Sequence, residues 1–117
     1  MLSTFQFSEN VFGIMVDTNI DSKLLEELHA FIESKFIEGD TINLLVEIRP
    51  GVDIPVKIML KDLLFKLNHN SCFRKIAVIA EPGIFKNVMS FKDFLMDAEV
   101  KTFLTEDRIT AMNWIAE

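Results

Sequence analysis

The stretches 42-INLLVEI-48 and 74-RKIAVIA-80 decide the fold, because each is a short run dominated by β-branched and other apolar residues. Runs of this length and composition are typical of strands that are covered on both faces of a sheet. The segments around them show the apolar spacing of helices, and strands that alternate with helices pair in parallel through right-handed crossovers. The two stretches therefore predict an α/β domain with a mostly parallel sheet.

Three further strands extend this sheet. Alternating residues at 5–7, a turn at 8–10 and an apolar run over 11–16 predict an opening hairpin, whose two strands could pair antiparallel within the mostly parallel sheet. A short run over 99–104 predicts the last strand. About five strands are expected in total, within one domain that covers residues 1–117.

About four helices are expected to connect or follow these strands. Apolar residues at helical spacing place them over 23–38, 54–68 and 84–97, with a last helix after residue 105. Asp21 or Ser22 is predicted to cap the first helix, and Thr105 is predicted to cap the last one, because their side-chain oxygens can accept from free backbone N–H groups.

Composition and charge exclude several classes of protein. The single Cys72 excludes an internal disulfide and a cysteine-based zinc site. No apolar run approaches the roughly 20 residues of a membrane-spanning helix, and the opening MLSTFQFSEN lacks the basic and apolar regions of a signal peptide. We therefore expect a cytoplasmic protein.

The net charge of −6 is spread unevenly along the chain. Residues 1–53 carry 3 basic and 10 acidic side chains, residues 54–92 carry 7 and 2, and residues 93–117 carry 2 and 6. The acidic total argues against nucleic-acid binding, whereas the basic middle segment suits an anionic partner locally.

The sequence contains no recognisable catalytic or metal-binding motif. His29 and His69 each stand alone, which predicts surface side chains, and the spacings of zinc-binding helices, nucleophile elbows and phosphate-binding loops do not occur. We expect a protein that is not an enzyme and that carries no cofactor or metal.

The helices predicted over 54–68 and 84–97 each carry a second apolar stripe beside the stripe that faces the core. These stripes are the ligand or interface candidates, and their members are Ile54, Ile58, Phe65, Phe85, Met89 and Met96. The candidates for contact with an anionic surface border the stripes and are Lys57, Lys61, Lys86 and Lys92. Packing between helices, a homodimer or protein interface, and a lipophilic ligand or membrane surface all fit this pattern.

The C-terminal half of the chain resembles the SpoIIAA-like family, which is related to the STAS domains of anti-sigma-factor antagonists. FRKIAVIA at 73–80 is similar to the family's strand after its second helix, and DAEVKTFLTEDRITAMNWIAE at 97–117 is similar to its closing strand, acidic turn and helix. The matching positions are Phe103, Glu106, Asp107, Ala111 and Trp114. The resemblance implies a sheet surrounded by helices and no enzymatic activity. The fold is also similar to that of CRAL-TRIO lipid-binding domains.

The resemblance also implies a difference in regulation. Anti-sigma-factor antagonists place a phosphorylatable Ser or Thr behind an Asp, at the start of the helix that follows the INLLVEI-type strand. Asp53 matches that Asp, but Ile54 stands at the hydroxyl position, and residues 48–67 contain no Ser or Thr. We expect an interaction module without this switch. The alternative is binding of a lipophilic small molecule, or of a membrane, through the helices over 54–68 and 84–97.

Overall fold

A computed structural model of the chain describes residues 2–36, 40–52, 62, 65, 72–84 and 98–117. These residues form five strands: β1 (Leu2–Ser8), β2 (Val11–Val16), β3 (Ile42–Ile48), β4 (Phe73–Ile79) and β5 (Glu99–Phe103). The described helical elements are α1 (Ser22–Glu33), a 3-10 helix (Thr105–Asp107) and α2 (Arg108–Ala116). Asp62, Phe65 and residues 82–84 are also helical.

The strands form one sheet in chain order, β1-β2-β3-β4-β5. β1 and β2 are antiparallel, and the other three pairs are parallel, which confirms the predicted mixed sheet with an opening hairpin. The described residues hold three helical elements, one of them a 3-10 turn, where about four helices were expected. The helices predicted over 54–68 and 84–97 lie almost entirely outside the described residues.

One face of the sheet packs against α1. Leu25, Leu28 and Ile32 of α1 are buried on it, because their spacing puts them on one side of the helix. They meet alternate residues of β2 and β3, such as Ile14 and Leu44, neither of which has any exposed surface. The large core of the domain therefore lies on this side of the sheet.

The opposite face packs against α2. Ala111 and Ile115 of the helix are fully buried and contact Leu45 on β3 and the pair Ala77 and Ile79 on β4. Residues of β3 alternate between the two faces, and nearly all of them are buried, as expected for a central strand. The INLLVEI stretch spans β3 with the predicted bounds.

The first helix has the predicted cap but ends earlier than predicted. Asp21 Oδ1 accepts from the backbone N–H of Leu24 at 2.8 Å. The helix ends at Glu33 rather than at residue 38. The hydroxyl of Ser34 donates to the carbonyl of Phe31 at 2.6 Å, and such a local bond competes with continuation of the helix.

The predicted cap of the last helix is wrong. Thr105 begins the 3-10 turn, in which the N–H of Asp107 donates to the carbonyl of Leu104 at 2.8 Å. α2 then starts at Arg108 without any side-chain cap. The hydroxyl of Thr105 is buried and has no hydrogen-bond partner. The tight turn displaces Thr105 from the position where its oxygen could reach the first free N–H groups of α2.

Candidate functional site

Phe65 is the one member of the two predicted stripes that the structure describes. It is half-buried and packs against the core on the α1 face. Its ring stacks on His29 of α1, with centroids 3.8 Å apart and planes 4° from parallel. Phe65 therefore lies between two helical segments. Packing between helices was one of the three alternatives for the second apolar stripes, beside a protein interface and a lipophilic ligand or membrane surface.

The other predicted candidates lie outside the described residues and stay predictions. They are the apolar Ile54, Ile58, Phe85, Met89 and Met96, and the basic Lys57, Lys61, Lys86 and Lys92. Binding of a lipophilic ligand or a membrane through these residues is therefore untested by the described geometry.

His29 is not the surface side chain that its isolation predicted. Its side chain is only 14% exposed, and Nε2 lies 2.9 Å from Oδ1 of Asp62. The same ring stacks on Phe65, one helical turn beyond Asp62. The histidine thus joins α1 to the segment that contains Asp62 and Phe65, and sequence spacing gave no sign of a partner 33 residues away.

A buried carboxylate lies near the carboxyl end of β3, a position where parallel α/β sheets commonly bind ligands. Glu47 is 1% exposed, on the face covered by α2. Its Oε1 accepts from Nε of Arg108 at 2.6 Å, and Nη1 of Arg49 lies 3.6 Å from Oε2. Oε2 itself has no hydrogen-bond donor. The carboxylate is thus engaged mainly by the first residue of α2.

Two more buried polar side chains hold the other end of α2. Asn43 Nδ2 donates to the carbonyl of Ile115 at 2.9 Å, and Nζ of Lys75 donates to the carbonyl of Trp114 at 3.1 Å. The last carbonyls of a helix lack intrahelical donors and carry partial negative charge, so an amide and an ammonium group suit them. Both ends of α2 are therefore bonded to the sheet.

Trp114 lies between two ammonium groups. Nζ of Lys75 is 4.9 Å and Nζ of Lys101 is 5.1 Å from its ring, and the ring also lies against Phe103 of β5. These contacts place Trp114 on the side of α2 that faces β5.

The opposite side of α2 faces β2 and β1 and remains partly open. On a helical projection Met112 and Ile109 lie about 160° and 140° from Trp114. Ile109 is 67% exposed, and Met112 is half-buried. On the same face of the sheet β1 and β2 carry Phe5 and Met15, which are also half-buried. We call Phe5, Met15, Ile109 and Met112 the open flank.

A glycine shapes the sheet beside this flank. Gly13 of β2 pairs with Phe5 of β1, and the Phe5 ring covers it so closely that a Cβ at residue 13 would lie 2.2 Å from the ring. The aromatic ring therefore lies over β2, on the face of the sheet that α2 covers.

A shallow groove of about 190 Å³ lies on the other side of β1, toward α1. It is lined by Thr4, Phe5, Gln6, Phe12, Phe31 and Lys35. Nζ of Lys35 lies 5.3 Å from the ring of Phe31 and 5.7 Å from that of Phe12. The groove is open, and its described lining contains a single charged side chain.

Neither metal-binding clusters nor membrane spans occur in the part of the chain that the structure describes. No group of three or more His, Cys, Asp or Glu side chains is placed to hold an ion among these residues. None of the described helices is both long enough and apolar enough to cross a bilayer.

Sequence reasoning missed the buried polar residues Asn43, Glu47 and Lys75, although a signal was present. Asn43 and Glu47 are four residues apart in β3 and therefore point to the same face of a strand that is otherwise apolar. Polar side chains in a strand covered on both faces need partners. The partners on α2 could not be named, since they lie more than 60 residues along the chain from β3.

Comparison with a solved structure supports the architecture. The chain is similar to an uncharacterized protein of the DUF3478 family with a SpoIIAA-like fold from Shewanella loihica PV-4. The identity is 16%, the TM-score is 0.71, and the alignment covers 98% of this chain and 92% of the other. At this identity the likeness shows the fold alone.

Comparison of sequences gives the family. No protein of curated function matches the chain. The sequence profile described as SpoIIAA-like matches residues 11–116, which include every strand of the sheet except β1. The chain therefore belongs to the SpoIIAA-like family.

Proposed function

We propose that this SpoIIAA-like domain is a non-catalytic interaction module that binds another protein surface through the open flank. The single observation that carries the proposal is the exposure of apolar side chains there, above all Ile109 at 67%. Isolated exposed apolar residues are common on proteins, but here Ile109 lies one helical turn from Met112, and Met112 and Phe5, both half-buried, pack against the same core. Apolar side chains that are incompletely buried on one face of a domain are typical of contact sites.

The buried polar side chains support a structural rather than a catalytic role. A catalytic site needs acids, bases or nucleophiles that converge on an accessible cleft. Glu47, Asn43 and Lys75 instead bond to α2 at its two ends. The residues described around the groove beside β1 are mainly rings and neutral side chains, and Lys35 is the one ionisable group among them.

A matched pair of variants on α2 tests the proposal. Met112→Asp places a charge in the open flank, whereas Thr110→Asp places the same charge at an exposed position of α2 that is outside the flank. A photo-reactive amino acid at position 109, in the full chain expressed in cells, should form a covalent adduct with a protein. The same group at position 110 should not.

The expected result is an adduct at position 109 that Met112→Asp abolishes and Thr110→Asp leaves intact. Folding of each variant is checked by circular dichroism, because Met112 is half-buried against the core and only a folded Met112→Asp variant tests the contact. The absence of any protein adduct at position 109, with the domain folded, would refute the proposal.

A further inference from the structure

The two edge strands of the sheet differ in charge. β5 carries Glu99 and Lys101, both exposed, and charged side chains on an edge strand discourage pairing with other chains. β1, with the sequence LSTFQFS, carries no charge and no proline. Its Ser3 and Thr4 are exposed. Among the described residues, charge therefore protects the β5 edge of the sheet, and no further strand pairs with the β1 edge.

We propose that β1 pairs with β1 of a second copy of this chain, so that two five-stranded sheets join across a twofold axis. The inference rests on the proposed function and names the partner. Two identical strands related by a twofold axis that is perpendicular to the sheet run antiparallel, and the residue at the axis meets its own copy. A charged residue at the axis would repel the same residue of the second copy, and β1 contains no charged residue.

The local geometry of β1 selects a register. The pairing between β1 and β2 is irregular between Gln6 and Ser8, where β1 contains one extra residue. Such a bulge bends the strand and interrupts regular pairing. The regular part is residues 2–6, whose centre is Thr4. Pairing about Thr4 places it opposite its own copy, and threonine pairs are favourable in antiparallel sheets.

The same register brings the open flanks together. Ser3 lies opposite Phe5 of the second copy, so that each Phe5 ring lies beside the junction of the two sheets. The flank of each copy, with Met15, Met112 and Ile109, then borders the junction on the α2 face. Apolar surface beside a strand pair increases the area that association removes from water.

Charge favours this surface over others for self-association. The chain has a net charge of −6, so two copies repel each other over most of their surface. β1 itself has no charge, so the strand pair avoids direct contacts between like charges, and Lys35 is the charged side chain described beside Thr4 in the neighbouring groove. Added salt screens the remaining repulsion, and we expect dimerisation to strengthen between low salt and 0.5 M NaCl, in contrast to an interface held by ion pairs.

The test uses Thr4→Lys and a matched control, Thr110→Lys, since both positions are exposed. Sedimentation equilibrium of the full chain should show a dimer whose dissociation constant rises at least tenfold in Thr4→Lys and stays unchanged in Thr110→Lys. Hydrogen exchange supplies an independent readout. Backbone amides of residues 2–6 should exchange more slowly at 200 µM than at 1 µM protein, and Thr4→Lys should remove this difference.

Two outcomes would overturn the inference. One is a wild-type chain that sediments as a monomer at every concentration. The other is a dimer that persists in Thr4→Lys without concentration-dependent protection of residues 2–6. If the chain is monomeric while position 109 still captures a different protein, only the self-pairing fails. If it is monomeric and position 109 captures nothing, the proposed function fails with it.

Discussion

Substitution of Arg108 by Met should destabilise the domain strongly although Arg108 is partly exposed. The change removes the guanidinium that donates to Glu47 at 2.6 Å but keeps an apolar stem of similar length. Removal of one partner of a buried ion pair costs about 3–5 kcal/mol, because the remaining charge stays buried without it. This cost applies to Glu47, because its side chain is buried and only 1% exposed.

Two features reduce the loss of stability expected for Arg108→Met. Arg108 is 42% exposed, so part of its charge interacts with water, and Arg49 lies 3.6 Å from the other carboxylate oxygen and can move closer. We expect a loss of about 2–3 kcal/mol in the free energy of unfolding. For a domain of this size the loss corresponds to a fall in Tm of roughly 8–12 °C.

Urea unfolding measures this loss, followed by the fluorescence of the single tryptophan, Trp114 on α2. Arg74→Met is the matched control, because Arg74 is exposed and its bond within the described residues is to the main-chain oxygen of Glu117 at 3.1 Å. It should change stability by less than about 0.5 kcal/mol. The double variant Glu47→Leu with Arg108→Met should recover most of the loss, since it removes both charges. If Arg108→Met is as stable as Arg74→Met, the pair does not stabilise α2 and the reasoning is wrong.

Three further substitutions test the packing. Gly13→Ala should lower stability by about 1–3 kcal/mol in thermal melts, because its Cβ meets the Phe5 ring at 2.2 Å; an equal loss in a Phe5→Ala background would contradict this cause. Asp21→Ala should cost about 1 kcal/mol and speed hydrogen exchange in the first turn of α1, and unchanged exchange there would argue against the cap. His29→Ala should cost about 2 kcal/mol in urea unfolding, since it removes both the stacked ring against Phe65 and a hydrogen bond; a loss below 0.5 kcal/mol would show that the contact is weak.

Local patterns were enough to predict the strands, but not their order in the sheet. The run at Ile42–Ile48 contains nearly all apolar residues and became the central strand, since only a strand covered on both faces can bury such a sequence. The hairpin followed from two runs and a turn predicted at 8–10; in the structure Ser8 belongs to β1 and the turn is Glu9 and Asn10. The errors lay at the helix ends, at Ser34 and Thr105, where competing local hydrogen bonds decide the boundary.

The candidate site was harder to predict, for a physical reason. The second stripes were read from helical spacing, which shows that a face is apolar but not what covers it. Phe65 illustrates this limit, because its partner His29 comes from another helix. The open flank also combines side chains from separate elements of the chain. Its members come from β1, β2 and α2, and no single periodic pattern includes both Phe5 and Ile109.

The bonds at the two ends of α2 also fix where the helix can lie. The apolar contacts of Ala111 and Ile115 alone would tolerate a shift along the sheet, since small and branched side chains fit several positions on a flat apolar surface. A shift of one helical turn, about 5.4 Å, would separate Glu47 from Arg108, and Asn43 from its carbonyl. Each separation would leave a polar group buried without a partner. The polar contacts thus exclude alternative alignments of the last helix and determine which of its side chains reach the surface.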